Sequence, residues 1–120
     1  MKEDLTIWHI HGLELPLDIE EADTVEKYEA ALAQLEQDVP EDKSAGAAYI
    51  RAYCKAFRTF YDTLFGEGTA EQIFSGIPDH ARRYTAVYGE FLTFVAKQAA
   101  QSQAESMQLK KKYLPKGGRR

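Results

Sequence analysis

The sequence predicts a mainly helical fold of the α+β class, with an N-terminal β-hairpin packed on a small bundle of three principal helices and one short helix. Two observations lead to this prediction. Two short runs near the N-terminus have the composition and alternation of paired strands, and four later segments repeat apolar residues at helical spacing. The length of 120 residues suits one domain. We assign residues 1–109 to that domain and residues 110–120 to a flexible basic tail.

The first predicted element is a hairpin over residues 5–18. Its first half is rich in β-branched and aromatic residues, and its second half alternates apolar and polar residues. His11 and Gly12 between the halves suit a two-residue turn, because glycine readily adopts positive φ. Pairing Ile10 with Leu13 places the apolar side chains of both strands on one face, which must pack on the helices.

The helices are predicted from apolar periodicity and from residues that start or stop a helix. They cover, in chain order, about 24–39, 45–65, 69–75 and 79–109. Asp23 with Glu26, and Thr69 with Gln72, have the spacing of N-terminal capping pairs. Pro78-Asp79 is typical of the first turn of a helix.

The last predicted helix changes character after Val95. Residues 97–108 are mainly alanine, glutamine and serine, so helix propensity stays high while core-forming side chains disappear. A helix over residues 79–109 would be about 45 Å long, which is more than a small domain can cover. We therefore expect its C-terminal part to project from the domain.

Charge is strongly polarised along the chain, although the net charge is only −4. Residues 1–42 carry thirteen acidic residues and two lysines, and residues 110–120 carry six basic residues and no acidic one. Such ends favour an electrostatic partner for each, or head-to-tail self-association. The alternative is that both ends are simply solvated and maintain solubility.

No pattern of catalytic or metal-ligating residues is complete. His9 and His11 would share one face of a strand, but no nearby Cys, His or Asp cluster completes a metal site. Cys54 lies on an apolar helical stripe, which predicts a core cysteine rather than a nucleophile. Gly66 and Gly68 lack the lysine and the preceding strand of a phosphate-binding loop. We predict no catalytic residue, no metal and no cofactor, and hence no enzyme.

The composition also bears on partners and compartment. No apolar run reaches the roughly 20 residues of a membrane helix, and the N-terminus lacks the apolar core of a signal peptide. A single cysteine fits a reducing compartment, so we predict a cytoplasmic protein without membrane contact. A pI near 5.4 disfavours nucleic acid, although the basic tail could contact phosphates.

The order of elements resembles the tail assembly chaperone family of siphophages and prophages of Gram-positive bacteria. Three parts carry the resemblance: the hairpin with Gly12 at its turn that leads into residues 21–29, the aromatic helix that ends in residues 60–74 with the run Phe65-Gly66-Glu67-Gly68-Thr69, and the last helix with Tyr88, Phe91 and Val95 before a basic tail. Together these parts span almost the whole chain.

The resemblance implies a non-enzymatic protein that acts in the host cytoplasm and is absent from the finished virion. It would bind the long tape measure protein, keep it soluble, and assist the tail tube protein to assemble around it. Members of that family are often also made as a longer, frameshifted product. The codons of Lys110–Lys112 would show whether an adenine run permits this here.

We predict that a partner contacts the last helix and the tail, with the acidic face of residues 20–38 as a second surface. The predicted partner-binding residues are Gln98, Gln101, Met107, Leu109, Lys110, Lys111, Lys112, Tyr113, Lys116, Arg119 and Arg120. Two other functions stay open: a structural or tail-completion protein of the virion, and a small nucleic-acid-binding regulator. A homo-oligomer is a further alternative, because Pro16 predicts a free edge on the hairpin.

Overall fold

The computed structural model describes residues 4–113 and contains a hairpin followed by four α-helices, as predicted. The elements are β1 (Ile7–Ile10), β2 (Leu13–Pro16), α1 (Ala22–Asp38), a short 3-10 helix (Lys43–Ala45), α2 (Ala47–Phe65), α3 (Thr69–Ile73) and α4 (Ala81–Tyr113). The molecule is elongated, with extents of 60 × 34 × 22 Å. Much of this length comes from α4, which is about 50 Å long.

The predicted hairpin register is confirmed. Ile10 lies opposite Leu13, and the pairing continues antiparallel to Ile7 and Pro16. The turn residues His11 and Gly12 have φ of 48° and 80°, so both adopt the positive φ of a type I′ turn. This turn twists in the same sense as the strands and fixes their alignment.

The first predicted capping pair is wrong, because α1 begins before Asp23. Its N-cap is Glu21, which makes no side-chain capping hydrogen bond. Asp23 already lies in the first turn, where its negative charge interacts favourably with the helix dipole. The side chain of Thr24 donates a hydrogen bond to the Glu21 carboxylate instead.

The second predicted capping pair is also wrong, because Thr69 lies inside α3 and Gly68 is its N-cap. The cap comes from a residue distant in sequence: the Asp62 carboxylate on α2 accepts a hydrogen bond of 2.8 Å from the Ala70 amide. Asp62 therefore ties α3 back to the end of α2, which local spacing alone could not indicate.

The start of α4 also differs from the prediction, which placed it at Asp79. The helix begins at Ala81, and the His80 ring accepts a hydrogen bond of 3.2 Å from the Arg83 amide, as an N-cap would. Asp79 forms an ion pair of 2.7 Å with Arg58 on α2. At its other end α4 continues to Tyr113, so residues 110–113 belong to the helix and not to the tail.

Trp8 of the hairpin is one of the rings of the buried aromatic core. Its ring centroid lies 5.3 Å from Phe91 and 5.8 Å from Tyr61, which joins β1 to α4 and α2. Cys54 is fully buried and burial raises the pKa of its thiol, as expected for a core cysteine. The apolar face predicted for the hairpin thus covers one side of this core.

Two buried tyrosines differ in how their hydroxyls are satisfied. Arg58 donates a hydrogen bond of 3.1 Å to the Tyr84 hydroxyl. The Tyr61 hydroxyl is buried and has no hydrogen-bond partner among the described residues. Because a buried polar group without a partner costs free energy, the two residues form a matched pair for mutation.

Tyr61→Phe should raise the free energy of unfolding by about 1 kcal/mol, because it removes a buried hydroxyl that has no partner. Tyr84→Phe should lower it by about 1–2 kcal/mol, because it removes a hydrogen bond to a charged group. Urea denaturation at pH 7 measures both values. Equal destabilisation by the two variants would contradict this description of the core.

The same residue predicts a pH dependence. Burial raises the pKa of the Tyr61 phenol above its usual 10.0, so above that pH the unfolded chain ionises while the folded chain stays neutral. The free energy of unfolding should then fall by about 1.4 kcal/mol per pH unit for this group. Tyr61→Phe should make the free energy of unfolding fall less steeply between pH 9 and pH 11. An unchanged slope would refute the assignment of this pH dependence to Tyr61.

Candidate partner-binding surface

Gln98 on α4 is buried and holds the open end of the hairpin. Its side-chain amide donates hydrogen bonds of 3.0 Å to the Leu5 carbonyl and 2.8 Å to the Leu17 carbonyl. Its side-chain oxygen accepts one of 2.8 Å from the Ile19 amide. One side chain therefore satisfies three backbone groups on both sides of the hairpin.

This arrangement corrects the prediction that Gln98 contacts a partner. Only 4% of the residue is exposed, so the side chain is not available to another molecule. A carboxamide suits the position because it supplies two donors and one acceptor at once. A sequence signal existed: Gln98 follows the buried Phe91 by seven residues, which places both on one helical face.

The other end of the hairpin is held by His11. Its Nδ1 lies 2.7 Å from the Ile73 carbonyl oxygen at the end of α3, which fits a donated hydrogen bond. The prediction assigned His11 only to a turn and a weak metal pair with His9. Among residues 4–113 there is no group of three or more His, Cys, Asp or Glu side chains placed to hold a metal ion.

An acidic recess lies beside Gln98, where the hairpin meets α4. It has a volume of about 210 Å³, and its lining includes Asp4, Asp18, Glu20 and Glu105. The Ser102 hydroxyl donates a hydrogen bond to the Glu20 carboxylate. Hydrogen bonds from the Thr6 hydroxyl and amide lower the pKa of Asp4, so its carboxyl stays ionised. The recess is a negative surface at the point where α4 leaves the domain.

Beyond this recess α4 projects, and we call residues 103–113 the projecting segment. Its apolar side chains are largely exposed: Met107 at 58%, Leu109 at 56% and Tyr113 at 70%. Leu109 follows Gln98 by eleven residues, about three turns, and so continues the face of α4 that is buried further back. The face of α4 that packs on the core thus continues into a part of the helix where its apolar side chains are exposed to solvent.

The remaining predicted residues fall into three groups. Gln101 is half-buried and donates a hydrogen bond to Glu105 within α4. The last turn of α4 carries three exposed lysines, Lys110, Lys111 and Lys112. Their positive charge interacts favourably with the helix dipole at this end. Lys116, Arg119 and Arg120 lie outside the described residues.

Gln98→Leu should lower the free energy of unfolding by about 2–4 kcal/mol, because three backbone groups lose their partner in a buried place. Gln101→Leu is the matched control three residues later and should change it by less than about 0.5 kcal/mol. Guanidinium denaturation followed by Trp8 fluorescence measures both. Similar values for the two variants would show that Gln98 does not hold the hairpin.

No described helix is both long enough and apolar enough to cross a membrane.

In the comparisons with known proteins, neither a curated protein nor a solved structure matches the chain. A protein-family model matches residues 11–120, which include β2, all four helices and the projecting segment. The chain therefore belongs to the family of unknown function DUF6673.

Proposed function

We propose that this protein is a tail assembly chaperone of a phage or prophage. In this proposal it acts in the host cytoplasm, binds the tape measure protein as a long helical partner, and assists assembly of the tail tube protein around it. It catalyses no reaction and uses no cofactor. The proposal joins the resemblance of the sequence to one structural observation, the projecting segment.

The observation that supports a helical partner is the exposed continuation of a packed face. Leu109 and Tyr113 are one turn apart on the same side of α4, and both are more than half exposed. Apolar side chains one turn apart are the contacts that one helix offers to another.

The charges of the segment suit a partner with acidic side chains beside its apolar stripe. Lys110, Lys111 and Lys112 surround the apolar pair in the last turn. The acidic recess at the other end of the segment has the opposite sign. A helix lying along the segment would meet positive charge at one end and negative charge at the other, which fixes its direction.

The absence of catalysis in this proposal fits what the described residues offer. Cys54 is buried and its thiol has a raised pKa, so it is a poor nucleophile. In the acidic recess, the Asp4 carboxylate accepts a hydrogen bond from the Thr6 hydroxyl and the Glu20 carboxylate accepts one from the Ser102 hydroxyl. In this proposal these groups serve structure and surface charge rather than proton transfer.

The test uses overlapping fragments of the tape measure protein from the same phage or prophage, mixed with the purified full chain. At least one fragment should stay soluble and co-elute with the wild type. Leu109→Asp/Tyr113→Asp should weaken that complex at least tenfold, because two apolar contacts are replaced by charges. Leu92→Asp is the matched control, since Leu92 is 42% exposed but lies on the packed part of α4.

Circular dichroism should show that both variants fold. A chain lacking residues 110–120 should also fold, because Lys110–Tyr113 are exposed, and should bind more weakly at low salt. Failure of the wild type to bind any fragment would overturn the proposal. So would equal binding by the Leu109/Tyr113 and Leu92 variants. Stoichiometric presence in purified particles, or salt-dependent retention of DNA alone, would favour a virion protein or a nucleic-acid-binding regulator instead.

A further inference from the structure

The outer edge of β1 carries backbone groups that the hairpin does not use. Ile10 and Leu13 close a two-residue turn and so form a hydrogen-bonded pair, and the pairing alternates from there. The Leu17 amide accordingly bonds to the Thr6 carbonyl at 2.7 Å. The amides and carbonyls of Ile7 and His9 therefore point away from β2. Among the described residues, only the Ile7 amide has a backbone partner there, the Asp4 carbonyl at 3.3 Å.

The edge of β2 is free, as the sequence predicts from Pro16, but it suits a further strand poorly. By the same alternation Pro16 faces outward, and proline has no amide hydrogen to offer a further strand. The hairpin therefore has one edge that can accept a strand, and it is the edge of β1. At the two ends of β1, His11 hydrogen-bonds to α3 and Gln98 hydrogen-bonds to the Leu5 carbonyl.

A groove of about 600 Å³ runs along this edge between β1 and α4. Ile7 and His9 line one side, Gly89, Thr93 and Lys97 line the other, and the groove also reaches the ring of Phe94. The groove is open to solvent and has β1 on one side and α4 on the other, so an extended chain beside the strand and a helix beside α4 could both contact it.

Gly89 has no evident role in the folded chain itself. The other glycines of residues 4–113 have positive φ, whereas Gly89 does not and lies inside α4. A Cβ built there meets no atom within 4 Å. Glycine in a helix is destabilising relative to alanine, so neither backbone conformation nor packing accounts for this residue. Close approach of another molecule in the groove would account for it.

We infer that a second copy of this chain docks on the β1 edge, so that β1 of the two copies pairs antiparallel and makes one four-stranded sheet. Such pairing places Ile7 opposite His9 of the second copy about a two-fold axis at Trp8. The α4 helices then lie side by side beneath the sheet. The inference does not rest on the proposed function, because the projecting segment takes no part in it.

Charge complementarity supports a second copy as the occupant. The Trp8 ring lies 5.3 Å from Phe91 and 6.3 Å from Phe94 between ring centroids, so the middle of β1 lies level with residues 91–94 of α4. Glu90 and Lys97 are exposed on opposite sides of that level along the helix, and both line the groove. A two-fold axis there brings Glu90 of each copy to Lys97 of the other. The surface is thus complementary to itself, as an isologous interface requires.

The expected association is weak. The groove is lined by ten residues, whereas stable interfaces use about 20–30 residues on each side. We expect a dimer with Kd on the order of micromolar, strengthened at low salt by the two ion pairs.

Sedimentation equilibrium of the full chain between about 1 and 500 μM tests this inference. Glu90→Lys and Lys97→Glu each place like charges together, so each should raise Kd at least tenfold. The double variant Glu90→Lys/Lys97→Glu should return Kd to within about threefold of the wild type, because the pairs form again with reversed sign. Glu71→Lys and Lys55→Glu make the same charge changes at exposed positions elsewhere and should leave Kd unchanged.

Gly89→Ala gives a second readout. It should raise Tm by about 3–5 °C, because alanine favours the helix and its Cβ meets nothing in the chain. It should nevertheless weaken the dimer, since the added methyl group enters the groove. A wild type that stays monomeric at 500 μM overturns the inference. A dimer that responds equally to the controls, or that the double variant does not restore, overturns it too.

Discussion

The buried carboxamide of Gln98 determines how the N-terminal hairpin sits on the last helix. A two-stranded hairpin is marginal in water, and this one survives because its Trp8 face covers an aromatic core. The three hydrogen bonds of Gln98 fix both sides of the hairpin where the aromatic contacts end. Since the partners are backbone groups, the bonds set position as well as stability.

This anchor divides α4 into two parts with different tasks. Up to Gln98 the helix contributes buried side chains, and Ser102 still hydrogen-bonds to Glu20 just after the hairpin. Beyond it, residues 103–113 continue as a helix with largely exposed apolar side chains. This division leaves two separate surfaces on the molecule. The projecting segment is the one proposed for a helical partner, and the β1 edge is the one proposed for a second copy. The proposed binding of a tape measure protein and the proposed self-association would therefore use different parts of the molecule.

Much of the fold was predictable because local chemistry specifies it. The His11-Gly12 turn fixed the register, and the apolar periodicities located all four helices. The errors arose where a distant residue decides: Asp62 caps α3, and Asp79 pairs with Arg58 instead of starting α4. The prediction for Gln98 is wrong for the same reason. A polar residue near the end of an apolar helical face suggests exposure, but distant backbone groups of the hairpin region hold this one in a buried position. Only its heptad spacing from Phe91 pointed to burial.

The most direct test of this layout is amide hydrogen exchange along the full-length chain at low micromolar concentration. We expect the Ile19 amide and the α4 amides up to about Ser102 to be protected nearly as strongly as the core of α2. The amides of residues 106–113 should exchange at least a hundredfold faster, because the large apolar side chains of that part of the helix are exposed. Uniform protection from Ala81 to Tyr113, or an unprotected Ile19, would contradict the account.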